Sequence, residues 1–223
     1  MNAKRESPTT KHETALIDAG HELIIGIDEV GAGCLAGPVV ACAVGLTSDF
    51  FCKKWPEISG LRDSKMLSAK RREHYSELLL NNPLVCYAIG SASPGEIDKI
   101  NILRATHLAM RRAIHELESR IKNYELRMTN PIVLVDGSRH ISELSIPQQA
   151  IVGGDRRVFV IAAASVIAKV YRDKLMLEFD TQFPEYGLAI HKGYGTKAHC
   201  AAIREYGPSE IHRMSFKPIR GMV

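Results

Sequence analysis

Long apolar runs are missing from this sequence of 223 residues: none reaches the roughly 18 to 20 residues that a membrane-spanning helix needs. The first 21 residues also lack the hydrophobic core and small-residue cleavage site of a secretory signal peptide. These absences predict a cytoplasmic protein with no membrane partner. Because the opening stretch is polar, we expect residues 1–21 to form a flexible tail ahead of the folded domain.

Cysteine and histidine patterns typical of covalent or zinc frameworks are absent too. The five cysteines are an odd number and include no Cys-x-x-Cys pair, which argues against both a disulfide framework and a structural zinc site. The nine histidines include no pair with His-x-x-x-His spacing. Neither residue type therefore indicates a metal centre.

A large excess of one charge is also lacking. The formal net charge is only +4, which a solvated surface explains as well as a polyanion-binding face does. The local pattern adds a little, since three adjacent arginine pairs occur at 71–72, 111–112 and 156–157. Clustered arginine favours nucleic acid slightly over other partners.

Short runs rich in Ile and Val alternate with helical patterns along the chain. Strands are predicted at 21–30, 38–46, 83–91 and 131–136. Helices are predicted at 68–80, from a start signal at 93–96 and on through 101–120, at 158–179 and at 196–206. No repeat or linker interrupts the pattern. We therefore predict one α/β domain over 22–223, with helices on a mixed sheet and a small C-terminal helical appendage.

Four acidic residues stand where predicted elements end. Asp28 and Glu29 end the first strand, Asp136 ends an apolar strand, and Asp155 precedes the second long helix. Carboxylate oxygens are the ligands that hard divalent cations prefer. Two such ions can activate water and stabilise the leaving oxygen when a phosphodiester is cut. If these elements are neighbours in one sheet, the acids predict a metal-dependent nuclease.

Each acid taken alone has a structural explanation. Neighbouring side chains in a regular strand point to opposite faces, so Asp28 and Glu29 reach one site only if the backbone departs from strand geometry. The glycines that follow make such a departure easy. Asp136 precedes a glycine, as in a common turn. Asp155 is also well suited to cap the helix that follows it.

The glycine-rich turn at 31–37 does not match a dinucleotide-binding fingerprint. Its spacing is GxGxxxG instead of GxGxxG, and Pro38 with a β-branched run follows it where a helix would be required. Backbone N–H groups of such a turn can still approach a sugar or phosphate closely.

Seven strings of this sequence occur in the order found in the ribonuclease HII family, which the chain resembles from about residue 24 to 218. They are GIDEVGAGCLAGPVVACAV, DSKMLS, ASPGEID, VLVDG, IAAASVIAKVYRD, HKGYGT and HRMSF. The resemblance implies a ribonuclease H-like fold and hydrolysis of RNA in RNA–DNA hybrids. It also implies incision on the 5′ side of ribonucleotides embedded in duplex DNA, as in ribonucleotide excision repair, with one or two Mg²⁺ or Mn²⁺ ions.

The resemblance also assigns roles to individual residues. The family's catalytic and metal-binding acids fall on Asp28, Glu29, Asp136 and Asp155. Substrate-binding roles fall on Gly31, Ala32 and Gly33, whose backbone would sense the ribose 2′-hydroxyl, on Ser64 and Lys65 at a phosphate, and on Tyr194 against a deoxyribose. On residue type alone, Tyr194 and Lys65 fit an ordinary solvated surface equally well.

Two positions depart from the family pattern. Ala32 stands where the family turn usually has arginine, and Gly153 stands where many relatives have lysine. Phosphate contacts mainly set affinity, so we expect a high KM and a shallow dependence of binding on salt. Alternatively, Arg156 or Arg157 supplies the missing contact.

Three other functions remain open on the sequence alone. A junction resolvase and a ribonuclease HIII would share the fold, but a ribonuclease HIII is expected to carry an extra N-terminal domain and a glutamate in place of Asp155. A nucleic-acid-binding protein that has lost catalysis would explain the missing basic residues. The C-terminal sequence shows no sliding-clamp peptide, and we expect a monomer.

Overall fold

A five-stranded mixed sheet forms the centre of the computed structural model, which describes residues 7–123 and 129–221. The strands are β1 (Leu23–Val30), β2 (Val39–Thr47), β3 (Cys86–Ala92), β4 (Pro131–Asp136) and β5 (Gln148–Ile151). Their order is β3-β2-β1-β4-β5, with β1, β2 and β3 antiparallel and β1, β4 and β5 parallel. The predicted α/β class with a mixed sheet is confirmed.

Eight α-helices are present in the described residues. They are α1 (Lys11–Asp18), α2 (Ser48–Phe51), α3 (Ala69–Leu80), α4 (Pro94–Ile100), α5 (Ile102–Asn123), α6 (Phe159–Gln182), α7 (Leu188–His191) and α8 (Lys197–Tyr206). Short 3-10 helices occupy Pro56–Ile58, Ser64–Met66, Gly154–Arg156, Pro184–Tyr186 and Ile219–Gly221. Within these described ranges, no helix combines the length and the apolar stretch that crossing a bilayer requires.

The two longest helices cover opposite faces of the sheet. Along β1, Ile24 packs with the residues of α6, whereas Ile25 packs with the residues of α5, as the alternation of a strand requires. The contact with α6 is close at Gly26, where a Cβ would lie only 2.5 Å from the carbonyl carbon of Val160. The backbones of β1 and the first turn of α6 are therefore in direct contact.

Local signals in the sequence predict most of these elements. Ser68 and Ser93 cap α3 and α4 with their side chains, and Glu96 completes a capping box with Ser93. The helical stretch from Ser93 is divided at Asn101, whose φ of 68° ends α4 before α5 begins. The strand β5 was not predicted, because its four residues, Gln148–Ile151, are half polar and stand at the edge of the sheet.

The prediction of a flexible tail covers residues 1–21, of which residues 1–6 lie outside the described part of the chain; residues 7–21 differ from it. Residues 11–18 form α1, and the side chain of Glu13 is fully buried. Its Oε1 accepts a hydrogen bond of 2.8 Å from the backbone N–H of Val160, which lies 147 residues further along the chain. Polar composition does not reveal such a contact, since the partner of the carboxylate is a remote backbone group.

The burial of Glu13 leads to a prediction on stability and pH. Burial raises the pKa of Glu13 from 4.5 to about 7, so the folded chain holds this proton more tightly than the unfolded chain does. The contribution of this group to stability therefore falls as the pH rises between those two values. Glu13→Gln keeps the acceptor and removes the titration. We expect the difference in unfolding free energy between the two proteins to change by about 3 kcal/mol from acid to alkaline pH.

Denaturant unfolding at a series of pH values measures this difference. A constant difference across the range would show that the pKa of Glu13 is the same in the folded and unfolded chains, and would contradict the prediction.

Candidate active site

Three aspartates converge where the central parallel strands end. One carboxylate oxygen from each of Asp28, Asp136 and Asp155 lies within 4.8 Å of the others. Ile27 of β1 pairs with Val135 of β4, so the next residues, Asp28 and Asp136, lie side by side. Side chains at every second residue of a strand share a face. Asp28 therefore lies on the same face of the sheet as Ile24, and Asp136 on the same face as Leu134, and this is the face that α6 covers.

Asp155 reaches this cluster from a short 3-10 helix, Gly154–Arg156, that precedes α6. The turn into it needs a left-handed residue, and Gly153 adopts φ 65° there. The Gly154 N–H donates a 2.7 Å hydrogen bond to Asp136 Oδ1, which ties this segment to the end of β4. The residue at the N-cap of α6 is Val158, so the alternative of Asp155 as helix cap is wrong.

Glu29 is not brought into the same cluster. β1 keeps regular pairing beyond Asp28, with Glu29 opposite Ala41 and Val30 opposite Val40. Neighbouring side chains therefore point to opposite faces, and in the described part of the chain only the three aspartates bring carboxylate oxygens within 4.8 Å of one another. Glu29 stays close enough for its charge to raise the pKa of Asp28.

The cluster holds more negative charge than its surroundings balance. Burial, followed by the charges of Glu29 and Asp136, raises the pKa of Asp28 well above its ordinary value. Burial and then the charge of Asp136 also raise the pKa of Glu29 and of Asp155. Lys65 places its Nζ 3.8 Å from Asp155 Oδ2, and Arg156 places its Nε 3.9 Å from Asp155 Oδ1, but these two side chains are 78% and 61% exposed. Hard divalent cations such as Mg²⁺ or Mn²⁺ fit this all-oxygen donor set.

The glycine turn that follows β1 rests on a buried arginine. Gly31 has φ +88°, and a Cβ there would lie 2.7 Å from Cζ of Arg172. The side chain of Arg172 is fully buried, and its three nitrogens donate to the carbonyls of Pro38, Lys192 and Ala36 at 3.1, 2.8 and 3.0 Å.

A second buried arginine holds the same turn. Arg213 donates from Nε and Nη2 to Gly37 O and from Nη1 to Ala32 O, at 3.0, 2.9 and 3.0 Å. Within the described ranges, neither Arg172 nor Arg213 forms an ion pair with a carboxylate. The sequence prediction missed both residues, although each lies in one of the strings that carry the family resemblance.

Of the two residues expected at a phosphate, only Lys65 has an exposed side chain. Ser64 is buried, and its Oγ accepts a 3.0 Å hydrogen bond from Ser165 Oγ on α6. The carboxylate of Asp63 accepts from the N–H of Lys65 and so caps the 3-10 helix Ser64–Met66. The geometry therefore places Ser64 behind the surface and Lys65 on it.

Tyr194 lies on a loop between α7 and α8, and 42% of it is exposed. The ammonium of Lys169 lies 5.9 Å from the centre of its ring. The carbonyl of Tyr194 accepts from the N–H of Thr196 at 2.8 Å and lies 3.0 Å from Nδ1 of His199. The backbone of the loop is thus fixed while the ring stays accessible.

A pair of buried histidines supports this loop. Ser209 N–H donates to Nδ1 of His212, so the proton of His212 is on Nε2 and points at Nε2 of His199, 3.2 Å away. His199 must then carry its proton on Nδ1 and donate it to the Tyr194 carbonyl. Burial lowers the pKa of each histidine to about 4, which keeps the chain of hydrogen bonds neutral. No spacing signal in the sequence marks this pair.

Comparison with solved structures identifies the fold. Ribonuclease HII from Archaeoglobus fulgidus, solved in a complex with PCNA, has a TM-score of 0.67 at 24% identity over 87% of this chain and 95% of that one. Bst-RNase HIII in complex with Mn²⁺ has a TM-score of 0.71 at 19% identity over 100% of this chain and 75% of that one. The fold is ribonuclease H-like.

The sequence comparisons then identify the family. The family model for ribonuclease HII matches residues 25–219, and the chain belongs to the ribonuclease HII family. The ribonuclease HII of Coxiella burnetii is 48% identical over 198 residues, 89% of this chain and 90% of the relative. That of Burkholderia pseudomallei is 47% identical over 203 residues, 91% of this chain and 87% of the relative.

Membership of this family makes the chain a ribonuclease H, an endonuclease that acts on RNA–DNA hybrids. It excludes the junction resolvase, the ribonuclease HIII and the binding protein without catalysis that the sequence alone left open.

Proposed function

We propose that this ribonuclease H cuts by a metal-ion mechanism centred on Asp28, Asp136 and Asp155, with Glu29 beside them. The observation that carries the proposal is the convergence of three carboxylate oxygens within 4.8 Å at the ends of adjacent parallel strands. The structure of Bst-RNase HIII with Mn²⁺ supports a divalent ion in this fold. Because all these acids belong to one chain, we propose that a monomer is active.

The role of each residue in the metal site follows from the contacts that it makes in the structure. One or two Mg²⁺ or Mn²⁺ ions, when bound, would activate the attacking water and stabilise the leaving oxygen. Asp28 and Asp136 are held by the sheet, and the hydrogen bond from Gly154 to Asp136 holds Asp155 against them. We assign to Lys65, on the surface beside Asp155, the binding of a phosphate of the substrate.

Recognition of the substrate falls to the turn at 31–33 and to Tyr194. The buried side chains of Arg172 and Arg213 donate hydrogen bonds to carbonyls of the turn and its neighbouring residues, and Gly33 is exposed to solvent. Backbone N–H groups there are free to approach the ribose 2′-hydroxyl, the group that distinguishes RNA from DNA. The exposed ring of Tyr194 would pack against the sugar on the DNA side of an RNA–DNA junction. We therefore propose incision on the 5′ side of ribonucleotides embedded in duplex DNA, in their repair.

The chemistry of the cut ends tests the metal-ion mechanism. Attack by water leaves a 3′-hydroxyl and a 5′-phosphate, whereas attack by the 2′-hydroxyl leaves a cyclic phosphate. We expect the first pair of ends, with cleavage that depends on Mg²⁺ or Mn²⁺ and stops in excess EDTA. A cyclic phosphate, or cleavage that persists in EDTA, would contradict the mechanism.

A pair of substitutions at Tyr194 tests its proposed role at the junction. Tyr194→Phe keeps the ring and should retain most of the activity. Tyr194→Ala removes about 1–3 kcal/mol of stacking, by analogy with base–aromatic contacts. We expect this variant to lose cleavage of a duplex with one ribonucleotide roughly 10-fold more than cleavage of a uniform hybrid. Equal losses on the two substrates would show that the ring only supports the loop.

Many relatives have a lysine at position 153, where this chain has glycine, and Arg156 is a candidate to replace the phosphate contact of that lysine. A Cβ on Gly153 would lie 2.8 Å from Nη2 of Arg156, so this guanidinium stands where a longer side chain at position 153 would begin. Its side chain is 61% exposed. Arg156→Ala should raise KM with little change in kcat, and should reduce the slope of log affinity against log salt by roughly one unit.

Ala32→Arg is the complementary change, because it restores the family residue in the turn. If no other residue serves that phosphate, it should lower KM and steepen the salt slope by roughly one unit. Arg104→Ala, an exposed arginine on α5, is the control for general charge. An unchanged KM in Ala32→Arg would mean that the contact is already supplied by another residue.

A further inference from the structure

The first turn of α6 lacks an ordinary cap. The N-cap residue, Val158, has no side chain that can accept a hydrogen bond, so the first N–H groups of α6 need acceptors from elsewhere. This turn begins only four residues after Asp155, the metal-cluster acid that lies outside the sheet.

The acceptors come from the N-terminal segment, residues 9–13. Val160 N–H donates to Glu13 Oε1 at 2.8 Å, and Phe159 N–H donates to the carbonyl of Thr9 at 3.3 Å. Thr9 N–H donates in turn to the carbonyl of Arg157 at 3.1 Å, and Thr9 forms a parallel bridge with Val158. Three consecutive contacts therefore fix the backbone from Arg157 to Val160.

The opposite side of the same turn touches β1. A Cβ on Gly26 would meet the backbone of Val160, so no space separates α6 from β1 at this point. Gly26 lies two residues before Asp28, and Val160 lies five residues after Asp155. A shift of this turn would change the separation of the two carboxylates.

Glu13 serves this position through its acceptor oxygen. An oxygen at a helix N-terminus satisfies an N–H group that has no partner within the helix. Glu13 is fully buried, and its Oε2 has no hydrogen-bond partner in the described structure. The family model for ribonuclease HII matches from residue 25 onward, so Thr9 and Glu13 lie outside the matched part of the chain, whereas their partners lie inside it.

We propose that Thr9 and Glu13 are positioning residues of the metal site, which hold the segment from Asp155 to Val160 at the distance from β1 that metal binding requires. This inference rests on the proposed metal centre and adds to it a support from the N-terminal segment. Residues that orient metal ligands from behind typically change affinity by 10- to 100-fold when they are replaced.

Calorimetric titration of the full chain with Mn²⁺ tests the proposal, together with melting temperatures measured without metal. Glu13→Ala removes the acceptor and should weaken Mn²⁺ binding by about 10-fold. Glu13→Gln keeps an oxygen for the Val160 N–H and should bind within about twofold of the parent. Leu117→Ala, a cavity variant under α5 on the other face of the sheet, should melt earlier and bind Mn²⁺ as the parent does.

Glu13→Ala that melts earlier but binds Mn²⁺ like the parent would overturn the proposal, because the segment would then contribute stability alone. Should this variant fail to fold, Thr9→Pro removes the N–H that donates to the carbonyl of Arg157, restricts the backbone at residue 9 and should weaken binding severalfold. Unchanged binding in Thr9→Pro would be equally decisive against it. Asp136→Asn distinguishes a failure of this inference from a failure of the proposed metal centre. If this variant also binds Mn²⁺ like the parent, the proposed metal centre itself is wrong.

Discussion

Asp136→Asn is expected to reduce cleavage of an RNA–DNA hybrid by at least about 100-fold, a loss of roughly 2.7 kcal/mol in transition-state stabilisation. Asp136 lies between Asp28 and Asp155 at the end of β4, and the three offer one oxygen each within 4.8 Å. The amide is nearly isosteric and can still accept the hydrogen bond from Gly154. It lacks the charge that a hard divalent cation needs.

Single-turnover cleavage measures this effect, and duplex affinity and melting temperature are measured as controls. We expect both control values to stay close to those of the parent, because the substitution preserves the shape of the side chain. Asp49→Asn, at an exposed position of α2, is the matched control and should cut normally. Turnover above about a tenth of the parent rate, a barrier change below roughly 1.4 kcal/mol, would remove Asp136 from the set of central ligands.

Arg172→Met is expected to lower the unfolding free energy by about 3–5 kcal/mol, because it removes three hydrogen bonds to backbone carbonyls in the interior. Methionine retains much of the apolar stem but leaves the carbonyls of Ala36, Pro38 and Lys192 without their donor. Each such loss in a buried site costs about 1–3 kcal/mol. The turn at 31–37 should loosen with it, so cleavage should fall as well.

Denaturant unfolding checks the prediction, with Arg104→Met on the exposed face of α5 as control. Burying a guanidinium without a carboxylate is itself costly, and replacement of buried charges by apolar residues sometimes stabilises a protein. A variant that is as stable as the parent would show that this cost outweighs the three hydrogen bonds.

The parts of the structure that the sequence predicts well are those governed by neighbouring residues. Capping by Ser68 and Ser93 depends on residues three positions away, so local spacing reveals it. The strand ends that carry Asp28 and Asp136 are visible because an apolar run stops at an acid. Even the position of Glu29 follows from strand alternation, once the strand is known to stay regular.

The parts that the sequence does not predict depend on backbone groups far along the chain. Glu13 binds the N–H of Val160, Arg172 binds carbonyls more than a hundred residues earlier, and Arg213 binds the carbonyl of Gly37. A backbone N–H or carbonyl is present at nearly every residue, so the chemistry of these side chains does not specify a partner. The fold has to be known before such contacts can be assigned.

Cleavage of a DNA duplex that contains one ribonucleotide, with the cut position mapped at nucleotide resolution, is the most direct test of the proposed function. We predict a single metal-dependent nick on the 5′ side of the ribonucleotide, with a 3′-hydroxyl and a 5′-phosphate, and no such nick with Asp136→Asn. A duplex left intact under conditions in which the same protein cuts a long hybrid would contradict it. So would a nick on the 3′ side.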